Sequence, residues 1–144
     1  MTLEQQVTSL ELSKRLKELG VKQESYFVWA NYIGQPPNFE SSWTLYPSDS
    51  EDWGNQEARE HIAAFTVAEL GEMLPGELDG GVWYWHECSP RGSVKNWLEW
   101  FEDEDGDKKQ LDGQSHEWLI SAHTEADARA KMLVYLLENK LITL

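Results

Sequence analysis

The segment Thr124–Asn139 restricts the folds open to this chain more than any other. Ala126, Ala130, Leu133 and Leu137 recur at i, i+4, i+7 and i+11, the spacing of one face of an α-helix. Met132 and Leu136 make a second stripe beside the first, with Val134 and Tyr135 near its edges. Thr124 is placed to cap the first turn, and Asp127 puts an acid where the helix N-terminus favours one. This apolar arc is wider than a half-buried helix needs. The helix must be covered from two sides, by a sheet and another helix or by a sheet and a partner chain.

The remaining elements supply such a cover. Thr8–Glu11 reads as a capping box, with Val7 and Leu12 as the hydrophobic staple. Leu12, Leu16 and Leu19 form the stripe of that first helix, and Gly20 ends it. Tyr26–Ile33 is aromatic and β-branched, Gly34–Asn38 breaks it, and Ser42–Tyr46 completes a hairpin. Pro47–Asn55 is a polar connection, and Glu57–Ala64 fits either a helical turn or an extended lead-in. Thr66–Glu69 is a second capping box, opening a helix that Pro75-Gly76 stops. Val82–Cys88, Val94–Glu102 and His116–Ala122 read as a three-strand meander, turning at Ser89–Gly92 and Asp103–Asp107. Strands in runs, not in strict βαβ alternation, predict an α+β fold. The expectation is a single domain over 1–144, an antiparallel sheet (hairpin plus three-strand meander) with about three helices packed on one face.

Charge is the strongest compositional signal. The chain has 12 basic and 26 acidic residues, a net charge of −14. Residues 1–23 net +1, so the other 121 residues net −15. Between Gln23 and Pro90 the only basic side chain is Arg59, against twelve acids. Such a surface repels nucleic acid and anionic lipid and attracts a basic partner. It also serves solubility. The N-terminus lacks the basic and apolar regions of a signal peptide, no apolar run reaches membrane-span length, and one cysteine, Cys88, excludes an internal disulfide. These features place the chain in the cytosol.

Three phrases carry a resemblance: Lys17-Glu-Leu-Gly-Val-Lys-Gln-Glu-Ser25, Thr66-Val-Ala-Glu-Leu-Gly-Glu-Met-Leu-Pro75 and Ala126–Asn139. Together they resemble a family of small uncharacterised proteins encoded by bacteriophages and prophages and found also on bacterial chromosomes. They cover about a quarter of the chain but span nearly its whole length. Residues 38–55 and 103–115 stand apart from the resemblance. It implies a context, a phage or mobile-element accessory protein in a bacterial host cytoplasm, and carries over no cofactor and no catalytic residue.

Several chemical motifs fail on spacing. His86 and Cys88 share a strand face, with His116 and His123 on or near the neighbouring strand, but no short Cys or His pair of structural-zinc type occurs. Cys88 has no helix N-terminus beside it to lower its pKa. In Asp103–Asp107, an EF-hand register with Gly106 at position six makes Phe101 the first ligand, which it cannot be. A charged hairpin tip that blocks edge pairing explains the acids better. Gly-x-Gly-x-x-Gly, P-loop and Gly-x-Ser-x-Gly patterns are absent from the sequence. No catalytic residue, metal site or cofactor is assigned.

The eight tryptophans are too many for one core of this size, so some must meet a helix, a loop or another molecule. Aromatics rimmed by carboxylates suit a protein interface. The leading reading is therefore a non-enzymatic accessory protein that binds a basic protein, such as a nucleic-acid-binding host protein, with no direct nucleic-acid or membrane binding. Asp49, Glu51, Asp52, Trp53, Glu102, Asp103, Glu104, Asp105 and Asp107 are its candidate contacts. In its sharpest form it inhibits a host defence nuclease by mimicking DNA charge. An alternative is a small-molecule-binding domain or small enzyme with a pocket of Trp85, His86, Cys88, His116 and Trp118. A third reading is a homodimer closed by helix 124–139.

Overall fold

A computed structural model describes residues 1–32, 43–50, 58–78, 81–91, 94–102, 104–105 and 120–144. Its helices are α1 (Leu10–Glu18), α2 (Val67–Met73) and α3 (Glu125–Glu138), preceded by a 3-10 turn at Leu3–Gln5. Its strands are β1 (Phe27–Tyr32), β2 (Trp43–Pro47), β3 (Ala58–Ala64), β4 (Glu77–Leu78), β5 (Val82–Arg91), β6 (Val94–Glu102) and β7 (Ile120–Ala122). The fold is α+β, with every strand pairing antiparallel.

The hairpin and the meander are both present, but in separate sheets. One has the order β2-β1-β3 and the other β4-β5-β6-β7. The second edge of β1 is taken by β3, the segment whose sequence fits either helix or extended chain. Its residues Ile62, Ala63 and Ala64 are buried on both faces, so no alternation marks them as a strand. Of the third meander strand, Ile120–Ala122 is described. The loops expected at Gly34–Asn38 and Pro47–Asn55, and the first part of His116–Ala122, lie wholly or partly outside the described residues.

Helix α3 fills the middle of the molecule. Ala126, Ala128, Ala130, Met132, Leu133 and Leu136 are all fully buried. All but Ala128 join Leu16 of α1, Leu70 of α2, Ala63 of β3 and Phe101 of β6 in one core cluster. The wide apolar arc is thus covered within the chain by the two other helices and by β6 and β7. The predicted Thr124 cap is formed, its hydroxyl oxygen accepting from the Asp127 N–H at 3.1 Å. No helix is long and apolar enough to cross a membrane among the described residues.

Of the two predicted capping boxes, the one at α2 is formed. Thr66 Oγ1 accepts from the Glu69 N–H (3.2 Å), and the Glu69 carboxylate accepts from the Thr66 N–H (2.8 Å). Glu69 also accepts from the Tyr26 N–H and the Ser25 hydroxyl, fastening α2 to the entry of β1. The box at Thr8–Glu11 is not formed. Ser9 is the N-cap of α1, and its own N–H donates to Asp127 Oδ1 at 2.8 Å. Thr8 is instead fully buried. Its N–H donates to the Phe65 carbonyl (2.9 Å), its Oγ1 accepts from the Phe65 N–H (3.0 Å) and lies 2.6 Å from Ser13 Oγ, and its carbonyl accepts from Trp29 Nε1 (3.0 Å). A buried donor that loses its acceptor costs more than a solvent-exposed cap contributes, so the tertiary partner sets the place of Thr8.

Thr8→Val keeps the volume but leaves the Phe65 N–H and the Ser13 hydroxyl without this partner. It is expected to destabilise the protein by about 2 kcal/mol, measured by urea denaturation. Glu11→Gln, at the position of the unformed box, should leave the midpoint unchanged.

Candidate functional site

Strand alternation divides the side chains of the four-stranded sheet between two faces. In β5, Tyr84, His86 and Cys88 lie on the helix side, while Trp83, Trp85 and Glu87 lie on the outer side. Cross-strand register places Trp83 opposite Glu102 and Trp85 opposite Trp100. Trp83 and Trp85 are 37% and 49% exposed, whereas Trp100 is 9% exposed and donates its Nε1 hydrogen to Glu102 Oε2 at 3.0 Å. Glu87 and, in the turn after β6, Glu104 and Asp105 are exposed. The outer face is therefore an aromatic strip bordered by acids.

The candidate contacts fall unevenly around this strip. Glu102, Glu104 and Asp105 lie on the strip or at its end, and Asp49 is exposed in the turn after β2. Glu51, Asp52, Trp53, Asp103 and Asp107 lie outside the described residues. Of the predicted pocket set, His86 and Cys88 share a face and are exposed, while Trp85 points to the opposite face. These three do not line one pocket, and His116 and Trp118 lie outside the described residues.

On the helix side, β6 carries a buried charge. Glu99 sits between Trp97 and Phe101 on one strand face, is 1% exposed, and has neither carboxylate oxygen in a well-formed hydrogen bond among the described residues. The Tyr84 hydroxyl faces it and is likewise unsatisfied. Burial pushes the Glu99 pKa up from 4.5 to about 7, the nearby Tyr84 hydroxyl and the Arg129 guanidinium oppose that shift, and Glu125 adds to it. Burial also raises the pKa of Tyr84, and the Glu99 charge raises it further. The His86 ring stacks on Tyr84 with centroids 6.0 Å apart. Arg129 is bound by Glu125, Nη2 to Oε1 at 2.8 Å, one helical turn away. Gly71 makes room for the guanidinium, since a Cβ there would lie 2.6 Å from Arg129 Nη1. Sequence analysis missed this cluster. The available signal was an acid in the i, i+2 row of Trp97 and Phe101, where alternation assigns the core face.

A cavity of about 700 Å³ opens beside the cluster. Phe27 of β1 and Trp97 of β6 bring one aromatic wall from each sheet. Met1, Gln5 and Gln6 come from the N-terminal segment, Thr66–Ala68 from the start of α2, and His123–Glu125 from the β7–α3 junction. Glu125 belongs to both cavity and cluster. The lining comes from five separate segments, which no short motif records. Comparison with protein-family models, curated proteins and solved structures finds no match to the chain.

The Glu99 shift has a definite consequence for stability. Below about pH 4.5 the carboxyl is neutral in both folded and unfolded states, and its ionisation costs nothing. Between 4.5 and about 7 the unfolded chain ionises while the folded one holds its proton, so stability falls as pH rises. Above 7 the full cost is present, about 3 kcal/mol. Glu99→Gln is expected to raise stability at pH 8 by about 2–3 kcal/mol and to do so far less at pH 4.5, read as the difference in urea midpoint. An equal effect at both pH values would show that folding does not shift the Glu99 pKa.

Proposed function

We propose that the chain is a binding protein that docks a basic partner protein on the outer face of β5 and β6, acting as a phage-like accessory protein in a bacterial cytoplasm. The observation that carries this reading is the pair Trp83 and Trp85, exposed side by side on one strand face with Glu87, Glu102, Glu104 and Asp105 around them. Aromatic side chains supply most of the energy of a protein interface, and a charged rim fixes the register and the choice of partner. The net charge of −14 favours basic surfaces and disfavours nucleic acid and anionic lipid. The sharpest form of the proposal is a host defence nuclease as partner, its basic groove filled by carboxylates in place of phosphates.

The test is affinity capture from bacterial lysate by the tagged chain, repeated with Trp83→Ala/Trp85→Ala. One basic protein should be retained at low salt and released by about 0.5 M salt, where charge pairs beyond a few ångströms are screened. The double variant should bind it at least about tenfold more weakly. Capture that persists undiminished at high salt would refute the charge-mimic form. Capture by the double variant at the unmodified level would place the interface elsewhere.

A further inference from the structure

We propose that the free edge of β5 at His86–Cys88 takes up an extended, basic segment of the partner protein as an added antiparallel strand. The proposal rests on the reading of the outer face as the docking surface and specifies how the partner is held there. Strand β5 runs from Val82 to Arg91, but its neighbour β4 covers only the start, with Leu78 opposite Val82 and Glu77 opposite Trp83. The last bond on that side is from the Tyr84 N–H to the Gly76 carbonyl, at 2.9 Å. The register would next set Leu74 against His86, but Leu74 closes α2 and donates its N–H to the Leu70 carbonyl.

Pairing of β5 with β6 continues without a bulge from Trp83 to Arg91. Backbone groups along β5 therefore alternate between its two sides, and those of Tyr84, His86 and Cys88 point away from β6. The N–H and C=O groups of His86 and Cys88 meet no backbone partner among the described residues, and both residues are exposed. Unpaired edge groups of this kind are the template on which a peptide adds as a strand.

Charge and alternation select the occupant. From Glu77 to Cys88 the sequence has no lysine or arginine, and the first bases of the hairpin, Arg91 and Lys95, come at its far end. A strand added antiparallel to this edge sets every second side chain on the outer face, beside Trp85 and Glu87. Arginine or lysine at those positions lays its stem over Trp85 and pairs its charge with Glu87. A second copy of this chain fits worse. The register that uses both His86 and Cys88 puts Glu87 directly opposite its own copy, and each chain brings a net charge of −14.

The test uses the full chain and a capped heptapeptide that alternates threonine and arginine. With its arginines on the outer face, the threonine N–H groups point at β5. Calorimetry at low salt should give a Kd below about 1 mM. The same peptide N-methylated at its threonines keeps its charge but cannot form the ladder, and should bind at least about tenfold more weakly. Cys88→Pro removes an N–H that faces the free edge and no bond to β6. It should weaken the unmodified peptide about tenfold, whereas Cys88→Ala should not. If Cys88→Pro does not fold, the methylated peptide on the unmodified chain carries the same test. Hydrogen exchange should show the His86 and Cys88 amides fast in the free chain and slowed by the peptide, with Trp85 and Glu87 slow in both. Absence of peptide binding, equal binding of the methylated peptide, undiminished binding by Cys88→Pro, or slow His86 and Cys88 amides in the free chain would each overturn the proposal. So would a dimer of the free chain that Cys88→Pro dissolves, which would assign the edge to a second copy. A partner from lysate that Cys88→Pro still captures and Trp83→Ala/Trp85→Ala does not would overturn the added strand and leave the docking face standing.

Discussion

Burial of helix α3 is the constraint on which the other elements depend. Six of its fourteen residues are sealed from solvent, and they meet α1, α2 and the four-stranded sheet. Truncating a buried leucine or methionine costs about 2–5 kcal/mol. The ion pair that joins α1 and α3, Arg15 Nε to Glu138 at 2.8 Å, is exposed and screened by water, so it contributes little. Apolar packing therefore holds α3, and the polar ties orient it. Asp127 receives the Ser9 N–H at the start of α1, so one carboxylate both complements its own helix and fixes the entry of another.

The same packing creates the main electrostatic cost of the fold. Strand β6 runs under α3, and its helix-side row is Trp97, Glu99 and Phe101. A carboxylate at the centre of that row loses its water and gains only the Tyr84 hydroxyl and a share of the Arg129 guanidinium, which Glu125 holds one turn away. A hydrophobic residue of similar size would pack there without penalty. Gly71 fits the space that the guanidinium occupies and not helix propensity, since glycine in a helix interior costs about 1 kcal/mol relative to alanine. The cluster thus departs twice from the rules of a purely structural core, at the same place and beside the same cavity.

Much of the fold was legible in the sequence because its signals are local. The stripe of α3, the Thr66–Glu69 box, the β1–β2 hairpin and the pairing of β5 with β6 follow from periodicity and capping chemistry over short windows. The errors arose where a distant partner prevailed over a local pattern. Thr8 has the spacing of a capping box with Glu11, but the unpaired N–H of Phe65, far along the chain, claims its hydroxyl. The Ile62–Ala64 end of strand β3 is buried on both faces and so shows no alternation. The aromatic strip was half legible: alternation puts Trp83 and Trp85 together, but only the fold shows that Trp100 beside them is covered. The predicted pocket paired Trp85 with His86, which strand geometry places on opposite faces.

The two aromatic regions differ in what a ligand would gain from them. On the outer face, Trp83 and Trp85 stand on one side of a sheet with solvent opposite, so only a surface large enough to cover both excludes water from them. Inside the cavity, Phe27 and Trp97 contribute lining from two sheets, in a volume of about 700 Å³. Area favours a protein on the first and a small molecule in the second. Charge adds to the preference on the outer face, because acids border the strip. Arg15 is paired with Glu18 and Glu138, and Arg129 with Glu125, all away from the strip. Glu87 and Glu104, exposed at its border, attract positive charge from outside the chain.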